Sequence, residues 1–70
     1  MRTHPIALWM KRKGIKSQTE AAFLLGITQP DVSDYIAWRA TPRPARLHHL
    51  ARQIGVPPGR FLPDASVEER

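Results

Sequence analysis

The 70-residue chain contains no cysteine, so neither a disulfide framework nor a thiolate metal site can reinforce its fold. Nothing in the composition points to an oxidising compartment, and we expect a cytoplasmic protein. Long hydrophobic runs are also missing. The apolar stretch near the N-terminus is short and is interrupted by Lys11, Arg12 and Lys13, which is typical of neither a signal peptide nor a membrane span. We therefore expect no membrane partner.

The chain lacks the residue groups on which most enzyme sites depend. It has no cysteine nucleophile, no glycine-rich phosphate loop and no carboxylate cluster able to hold a metal. His48 and His49 are adjacent, so on a helix they point about 100 degrees apart and cannot share a metal as an i, i+4 pair does. We expect a protein that is not an enzyme, with no metal, no cofactor and no small-molecule ligand.

Acidic residues are few. Residues 1 to 62 carry ten Lys or Arg against three acids, a net charge of +7 by subtraction, while the other three acids lie in residues 63 to 70. An excess of positive charge favours a polyanion as the partner. Excess lysine and arginine that merely keep a small protein soluble are the alternative, and charge by itself does not decide between them.

Helical signals run along most of the chain, and no segment shows the strict alternation of a strand. Pro5 suits the first turn of a helix, because the N–H that proline lacks would have no partner there. Thr3 or His4 can cap that turn. We expect this first helix to run from Pro5 to about Lys13 and to end at Gly14.

A second helix is predicted from about Gln18 to Leu25. Ser17 is followed three residues later by Glu20, and this capping box lets a hydroxyl and a carboxylate satisfy two N–H groups that the helix leaves unpaired. Gly26 ends the helix, because glycine reaches the left-handed conformation without the steric cost that other residues incur.

A third helix follows at once, from about 29 to 38. Thr28 starts it, and Asp31 three residues later repeats the capping pattern. Two helices joined by so short a turn must cross steeply. Ala22 supplies the small contact residue that the crossing needs, and Ile27 and Val32 can fill the wedge between the helices. This arrangement is typical of a helix-turn-helix, whose second helix enters the DNA major groove.

Beyond a proline-containing basic loop at residues 39 to 44, a fourth helix is predicted from about Pro44 to Gly55. Its core-facing stripe follows the i, i+3, i+4, i+7 pattern and consists of Leu47, Leu50, Ala51 and Ile54. One more short helical turn starts at Pro57 or Pro58 and covers the bottom of the core. We expect one domain over residues 1 to 62 and a flexible tail over residues 63 to 70.

The run Q-x-x-A-A-x-x-L-G-I-T-Q-P-x-V-S, from Gln18 to Ser33, resembles the Cro/repressor-type helix-turn-helix family, also called the XRE family. Members of that family are five-helix DNA-binding domains of phage repressors, Cro proteins and antitoxins. The resemblance covers about residues 5 to 62. It implies an all-α, compact, four- to five-helix domain that is lambda-repressor-like and has a central helix-turn-helix. It also implies a double-stranded DNA operator as the partner.

The resemblance further implies which side chains meet the DNA bases. Gln29, at the first position of the third helix, occupies the place of a base-reading glutamine and can bridge N6 and N7 of an adenine. The later base-facing positions of the family fall on Asp31, Ser33 and Asp34. A solvated helix N-terminus is the alternative interpretation of Gln29.

Two aspartates on a helix that meets a polyanion depart from the common family pattern. Asp31 is better explained as a partner in the N-terminal cap and as a complement to the helix dipole. Asp34 can pair with Arg39, can repel wrong bases, or can accept a hydrogen bond from a cytosine N4. The sequence leaves these roles of Asp34 open.

Most of the affinity for DNA is expected from contacts with phosphates rather than with bases. In the family the glutamine that corresponds to Gln18 touches a phosphate, and the loop after the third helix touches the backbone. The predicted phosphate-contacting residues are Lys16, Ser17, Gln18, Thr28, Arg39, Arg43 and Arg46. An arginine that is only solvated remains the alternative for each of the three arginines.

Several large apolar and aromatic residues have two interpretations. Phe23 and Leu24 stand where the family usually has polar residues, so at least one of them should face outward, either as scattered exposure or as a protein contact. Phe61 and Leu62 are interface residues or a cover for the core. We expect core or rim packing, and not base stacking, for Trp9, Tyr35 and Trp38.

Taken together, these features predict a sequence-specific transcriptional regulator, a repressor of the phage Cro or the antitoxin type. We expect a homodimer, because two-fold assembly matches half-sites about 34 Å apart. A toxin protein is a further expected partner if the chain is of the antitoxin type. The alternative is a protein-interaction module that keeps the helical fold, and a weaker alternative is a nonspecific architectural protein.

Overall fold

The computed structural model describes residues 2–63. Its elements, in chain order, are the helices α1 (Pro5–Lys13), α2 (Gln18–Leu25), α3 (Gln29–Ile36) and α4 (Pro44–Ile54), followed by a 3-10 turn (Pro58–Phe61). No strand occurs in these residues, so the predicted all-helical class is confirmed. The tail predicted over 63 to 70 lies, from residue 64 onward, outside the described residues.

Three helices begin at the capping residues that the sequence indicated. The Ser17 hydroxyl accepts a hydrogen bond from the backbone N–H of Glu20 at 3.1 Å, and the Thr28 hydroxyl accepts one from Asp31 at 3.2 Å. At α1 the cap is His4, whose Nδ1 accepts from the N–H of Ile6 at 3.1 Å. Each cap satisfies a donor that the first turn of a helix cannot pair internally, and this fixes where the helix starts.

The turn between α2 and α3 consists of residues 26 to 28. Gly26 has a φ of 75°, and the N–H of Ile27 donates to the carbonyl of Ala22 at 3.0 Å, which closes the C-terminus of α2. α2 and α3 then make the most extensive contact between any two elements. Ala22 and Val32 are buried in this contact, and Ile27 packs against it, as predicted.

One hydrophobic core joins all five elements. α4 contributes the predicted stripe of four residues, and the 3-10 turn closes the core from below. The buried hydrophobic residues are Ile6, Trp9, Ala21, Ala22, Leu25, Val32, Tyr35, Leu47, Leu50, Ala51, Ile54 and Phe61. No helix in residues 2–63 is long enough and apolar enough to cross a lipid bilayer.

Two predictions differ from the structure. α3 ends at Ile36, two residues before the predicted end, because Trp38 takes a left-handed φ of 62° and its indole N–H donates to the carbonyl of Arg2 at 3.0 Å. This contact with a distant segment replaces the last helical turn. Phe61, named as a possible protein contact, is fully buried; it belongs to the core, and only Leu62 of that pair is at the surface.

Candidate nucleic-acid interface

The first residues of α2 and α3 lie side by side. Nε2 of Gln29 donates a hydrogen bond to Oε1 of Gln18 at 2.7 Å, although the two residues are eleven positions apart. The Gln29 side chain is exposed and Gln18 is partly buried. Since both residues directly follow a capped helix start, two helix N-termini, each with partial positive charge, meet at one surface.

Asp31 has two partners within the fold. Its backbone N–H is capped by Thr28, and its carboxylate accepts from Nη1 of Arg46 at 3.0 Å. Partial desolvation raises the pKa of Asp31, but the hydrogen bonds from Thr28 and Arg46 outweigh it and leave the pKa below its ordinary value. The structure therefore confirms the capping interpretation of Asp31.

Arg46 connects α4 to α3 through a second contact. Besides Asp31, its Nη1 donates to the hydroxyl of Tyr35 at 3.2 Å, and this hydrogen bond is the main reason that the pKa of Arg46 lies above its ordinary value. The ring of Tyr35 is buried as predicted, while its hydroxyl reaches the polar rim. The sequence suggested the ring packing but gave no sign of this hydroxyl contact.

Asp34 and Arg39 form an ion pair at the end of α3. Nε and Nη2 of Arg39 each lie 3.1 Å from Oδ1 of Asp34, and Nη2 also donates to the hydroxyl of Ser33 at 3.2 Å. Both partners stay at the surface, with 59% of the Arg39 side chain and 47% of the Asp34 side chain exposed. Of the roles considered for Asp34, the pairing with Arg39 is confirmed.

The remaining predicted cations are not engaged in the same way. Within residues 2–63, the side chains of Lys16 and Arg43 make no hydrogen bond and no ion pair, and both residues are exposed. Lys16 directly precedes the cap of α2, and Arg43 directly precedes α4. An open groove of about 440 Å³ lies between α3 and the start of α4 and is lined in part by Arg43, Arg46 and Asp31.

The predicted protein-contact residues divide into exposed and buried ones. The Phe23 side chain is 83% exposed on α2, Leu24 is 46% exposed beside it, and Leu62 is 39% exposed. Phe61 is buried, as described above.

Within the described part of the chain, no group of three or more histidine, aspartate and glutamate side chains is placed to hold a metal ion.

Comparisons with known proteins do not add a relative. The chain matches no protein-family model, no curated protein and no solved structure.

Proposed function

We propose that the chain is a sequence-specific, double-stranded DNA-binding transcriptional regulator. In this proposal α2, the turn at residues 26 to 28 and α3 form the helix-turn-helix of a lambda-repressor-like domain, and α3 enters the major groove. The hydrogen bond between Gln18 and Gln29 carries the proposal. It fixes an exposed amide at the leading end of α3, the end that meets base edges in this kind of domain.

The chemistry of Gln29 suits an adenine. One hydrogen of Nε2 is used by Gln18, which leaves the second hydrogen and the oxygen Oε1 for a base. In the major groove adenine offers N7 as an acceptor and the N6 amino group as a donor, and a glutamine amide can bridge the two. Gln18 thus orients the amide before the DNA arrives, so that less side-chain freedom is lost on binding.

The charge distribution supports binding to phosphates. Lys16 lies beside the N-terminus of α2, and Arg43 lies beside the N-terminus of α4, so both cations add to the positive ends of helices. Neither cation is neutralised by an acid among the described residues. Ser17 and Thr28, which cap α2 and α3, stand at the same kind of helix end and complete the proposed set of backbone contacts.

We further propose a homodimer that acts as a repressor of the phage Cro or the antitoxin type. A single helix of eight residues contacts only a few base pairs, so a second copy on the neighbouring half-site is needed for a useful specificity. In the antitoxin case a toxin protein is the additional partner, and Phe23 and Leu24 supply an exposed apolar surface for a protein.

The second candidate function is a protein-interaction module that binds DNA weakly or not at all. The exposure of Phe23 favours it, as do the two carboxylates on α3, Asp31 and Asp34. Salt dependence separates the two functions. Groove binding predicts that log K falls steeply with log salt concentration, by about 0.9 for each phosphate contacted, whereas an interaction module shows no selective binding.

Selection of bound sites from random duplex DNA tests the proposal. We expect the wild-type chain to enrich one motif arranged as two half-sites, and Gln29→Ala to lose the preference at one base step in each half-site. Gln53→Ala is the matched control. It removes an exposed amide of α4 that donates to the carbonyl of Leu24 at 3.1 Å, at the end of α2 opposite to Gln18, and it should leave the motif unchanged. Enrichment of no motif by the wild-type chain would exclude the proposed function.

A further inference from the structure

We infer that Arg39 is a base-reading residue, and that the base it reads is a guanine. The family resemblance implies a phosphate contact for Arg39 and base-facing positions for Ser33 and Asp34, and it leaves the role of Asp34 open. The geometry points to the reverse arrangement, in which Ser33 and Asp34 hold the guanidinium and the guanidinium contacts the DNA. The inference deepens the proposed function and depends on it.

The position of Arg39 supports this role. It lies beyond the end of α3, but the left-handed backbone at Trp38 turns the chain, and the N–H of Arg39 donates to the carbonyl of Asp34 at 2.9 Å. The guanidinium then reaches the Ser33 hydroxyl at 3.2 Å. Ser33 is four residues after Gln29 and so lies on the same face of α3. Arg39 is therefore presented on the surface to which Gln29 belongs.

The hydrogen bonds of Arg39 leave suitable donors unused. Nε and Nη2 are occupied by Asp34 and Ser33, and no hydrogen bond within residues 2–63 uses Nη1. These three contacts, with the Asp34 carboxylate and the Ser33 hydroxyl, orient the plane of the guanidinium. The two N–H groups that remain are both on Nη1. Guanine presents O6 and N7 side by side in the major groove, where arginine makes the commonest base-specific contact, and Nη1 lies at the free end of the guanidinium to donate to them.

The charge of the pair argues against a role as a phosphate anchor. Asp34 cancels the charge of Arg39 at a distance of 3.1 Å, so the pair offers little net attraction to a phosphate. A hydrogen-bonded contact with O6 and N7 depends on donor direction more than on net charge, and the carboxylate improves that direction. In this arrangement Asp34 is a positioning residue.

Along α3, Ser33 and Gln29 are separated by about 6 Å, so we expect the guanine about two base steps from the adenine.

The experiment measures affinity for the selected site, for four substituted versions of it and for one control duplex. Three versions replace the guanine with another base pair, and the fourth replaces it with 7-deazaguanine, which lacks only the N7 acceptor. A duplex with inosine at the same position is the matched control, because inosine keeps O6 and N7 and loses only the minor-groove amino group. The proteins are the wild-type chain, Arg39→Lys, Arg39→Ala, Asp34→Ala and, as a phosphate control, Arg43→Ala.

We expect the wild-type chain to prefer guanine by about 5- to 150-fold, to lose about tenfold on 7-deazaguanine and to tolerate inosine. Arg39→Ala and Arg39→Lys should lose this preference, and Arg39→Lys should keep the wild-type salt dependence because its charge is unchanged. Asp34→Ala should weaken the discrimination and raise the affinity for all sequences. Arg43→Ala should lower the affinity for every duplex alike and keep the response to 7-deazaguanine.

Two results overturn the inference while leaving the proposed function intact. One is that Arg39→Ala weakens all duplexes equally and removes about 0.9 from the salt slope, which identifies Arg39 as a phosphate contact. The other is that Asp34→Ala abolishes a preference for cytosine that Arg39→Ala keeps, which identifies Asp34 as the reader. If the wild-type chain enriches no motif at all, the proposed function and the inference both fail.

Discussion

The imidazole of His4 packs against the indole of Trp38, with 4.6 Å between the ring centroids. Phe61 meets the same imidazole edge-on at 5.0 Å. Arg2 extends this contact, since it accepts a hydrogen bond from the Trp38 indole and donates one to the carbonyl of Leu62 at 2.9 Å. The N-terminal segment therefore ties the end of α3 to the 3-10 turn, and it fixes the backbone directly before Arg39.

The burial of His4 predicts a loss of stability in mild acid. Burial, with the nearby charge of Arg2, lowers the pKa of His4 from 6.5 to about 4. The unfolded chain consequently takes up a proton at a higher pH than the folded chain does. Stability is complete above pH 6.5 and falls as the pH decreases to 4, by up to about 3 kcal/mol.

Urea unfolding between pH 7.5 and 4.5 measures this effect. His4→Gln, which cannot titrate, should be less stable at pH 7.5 but should show almost no change over the same range. Asp31 does not interfere, because its pKa lies below its ordinary value of 3.8 and its contribution is lost only at lower pH. An equal loss of stability in wild type and His4→Gln would contradict the assignment to His4.

Position 26 requires glycine because of its backbone conformation, and not because a side chain would collide with neighbouring atoms. Its φ is 75°, and a Cβ added there would meet nothing within 4 Å. We expect Gly26→Ala to lower the free energy of unfolding by about 1 kcal/mol, because a side chain is strained in the left-handed region. Gly59 is a matched control, since it too has open space but no positive φ. Gly59→Ala should be neutral or slightly stabilising, and equal effects of the two changes in thermal melting would refute this explanation.

Local signals in the sequence predicted most of the helix boundaries. Ser17, Thr28 and Gly26 act within one helical turn of their own positions, so the sequence contains all that is needed to place the starts of α2 and α3 and the end of α2. The end of α3 could not be found in this way. It depends on the contact of Trp38 with Arg2, 36 residues away, which only the folded chain brings together.

In the candidate site, too, contacts between residues close in sequence are predictable, and contacts between distant residues are not. The sequence indicates the pairing of Asp34 with Arg39 as one alternative, because the two residues are about one helical turn plus one residue apart. The sequence does not indicate the pairing of Asp31 with Arg46, since it spans 15 residues and requires α4 to lie across α3. For the same reason the sequence treated Arg46 only as a phosphate contact, whereas in the fold its guanidinium is held by Asp31 and Tyr35.

The two phenylalanines of the chain predict opposite effects on stability. Phe61 is fully buried, and Phe61→Ala should cost about 3 to 5 kcal/mol, most of the stability of a domain this small. Phe23 is 83% exposed, so Phe23→Glu should change the free energy of unfolding by less than about 0.5 kcal/mol. Chemical unfolding measures both. A large loss in Phe23→Glu at low protein concentration would show that Phe23 belongs to the core.

Phe23→Glu also tests whether the exposed face of α2 is a protein contact. Combined with Leu24→Lys, it places two charges on that face without touching the core. If the face is a contact between copies of the chain, sedimentation should show a shift from dimer to monomer. Unchanged assembly would exclude the hypothesis that copies of the chain associate through this face, and the dimer would then have to form through another surface.

Gln18→Ala should weaken the reading of a base that Gln18 itself does not touch. The side-chain oxygen Oε1 of Gln18 accepts a hydrogen bond from Nε2 of Gln29 at 2.7 Å. Without this bond the Gln29 amide samples more rotamers before it meets DNA. We expect a several-fold loss of discrimination at the adenine step, smaller than the loss in Gln29→Ala, together with a modest loss of affinity for all sequences if Gln18 also touches a phosphate. Competition binding with cognate and single-substituted duplexes separates the two effects. Adding Gln18→Ala to Gln29→Ala should cause no further loss of discrimination, because the amide to be oriented is already gone; an additive loss would show that Gln18 reads a base independently.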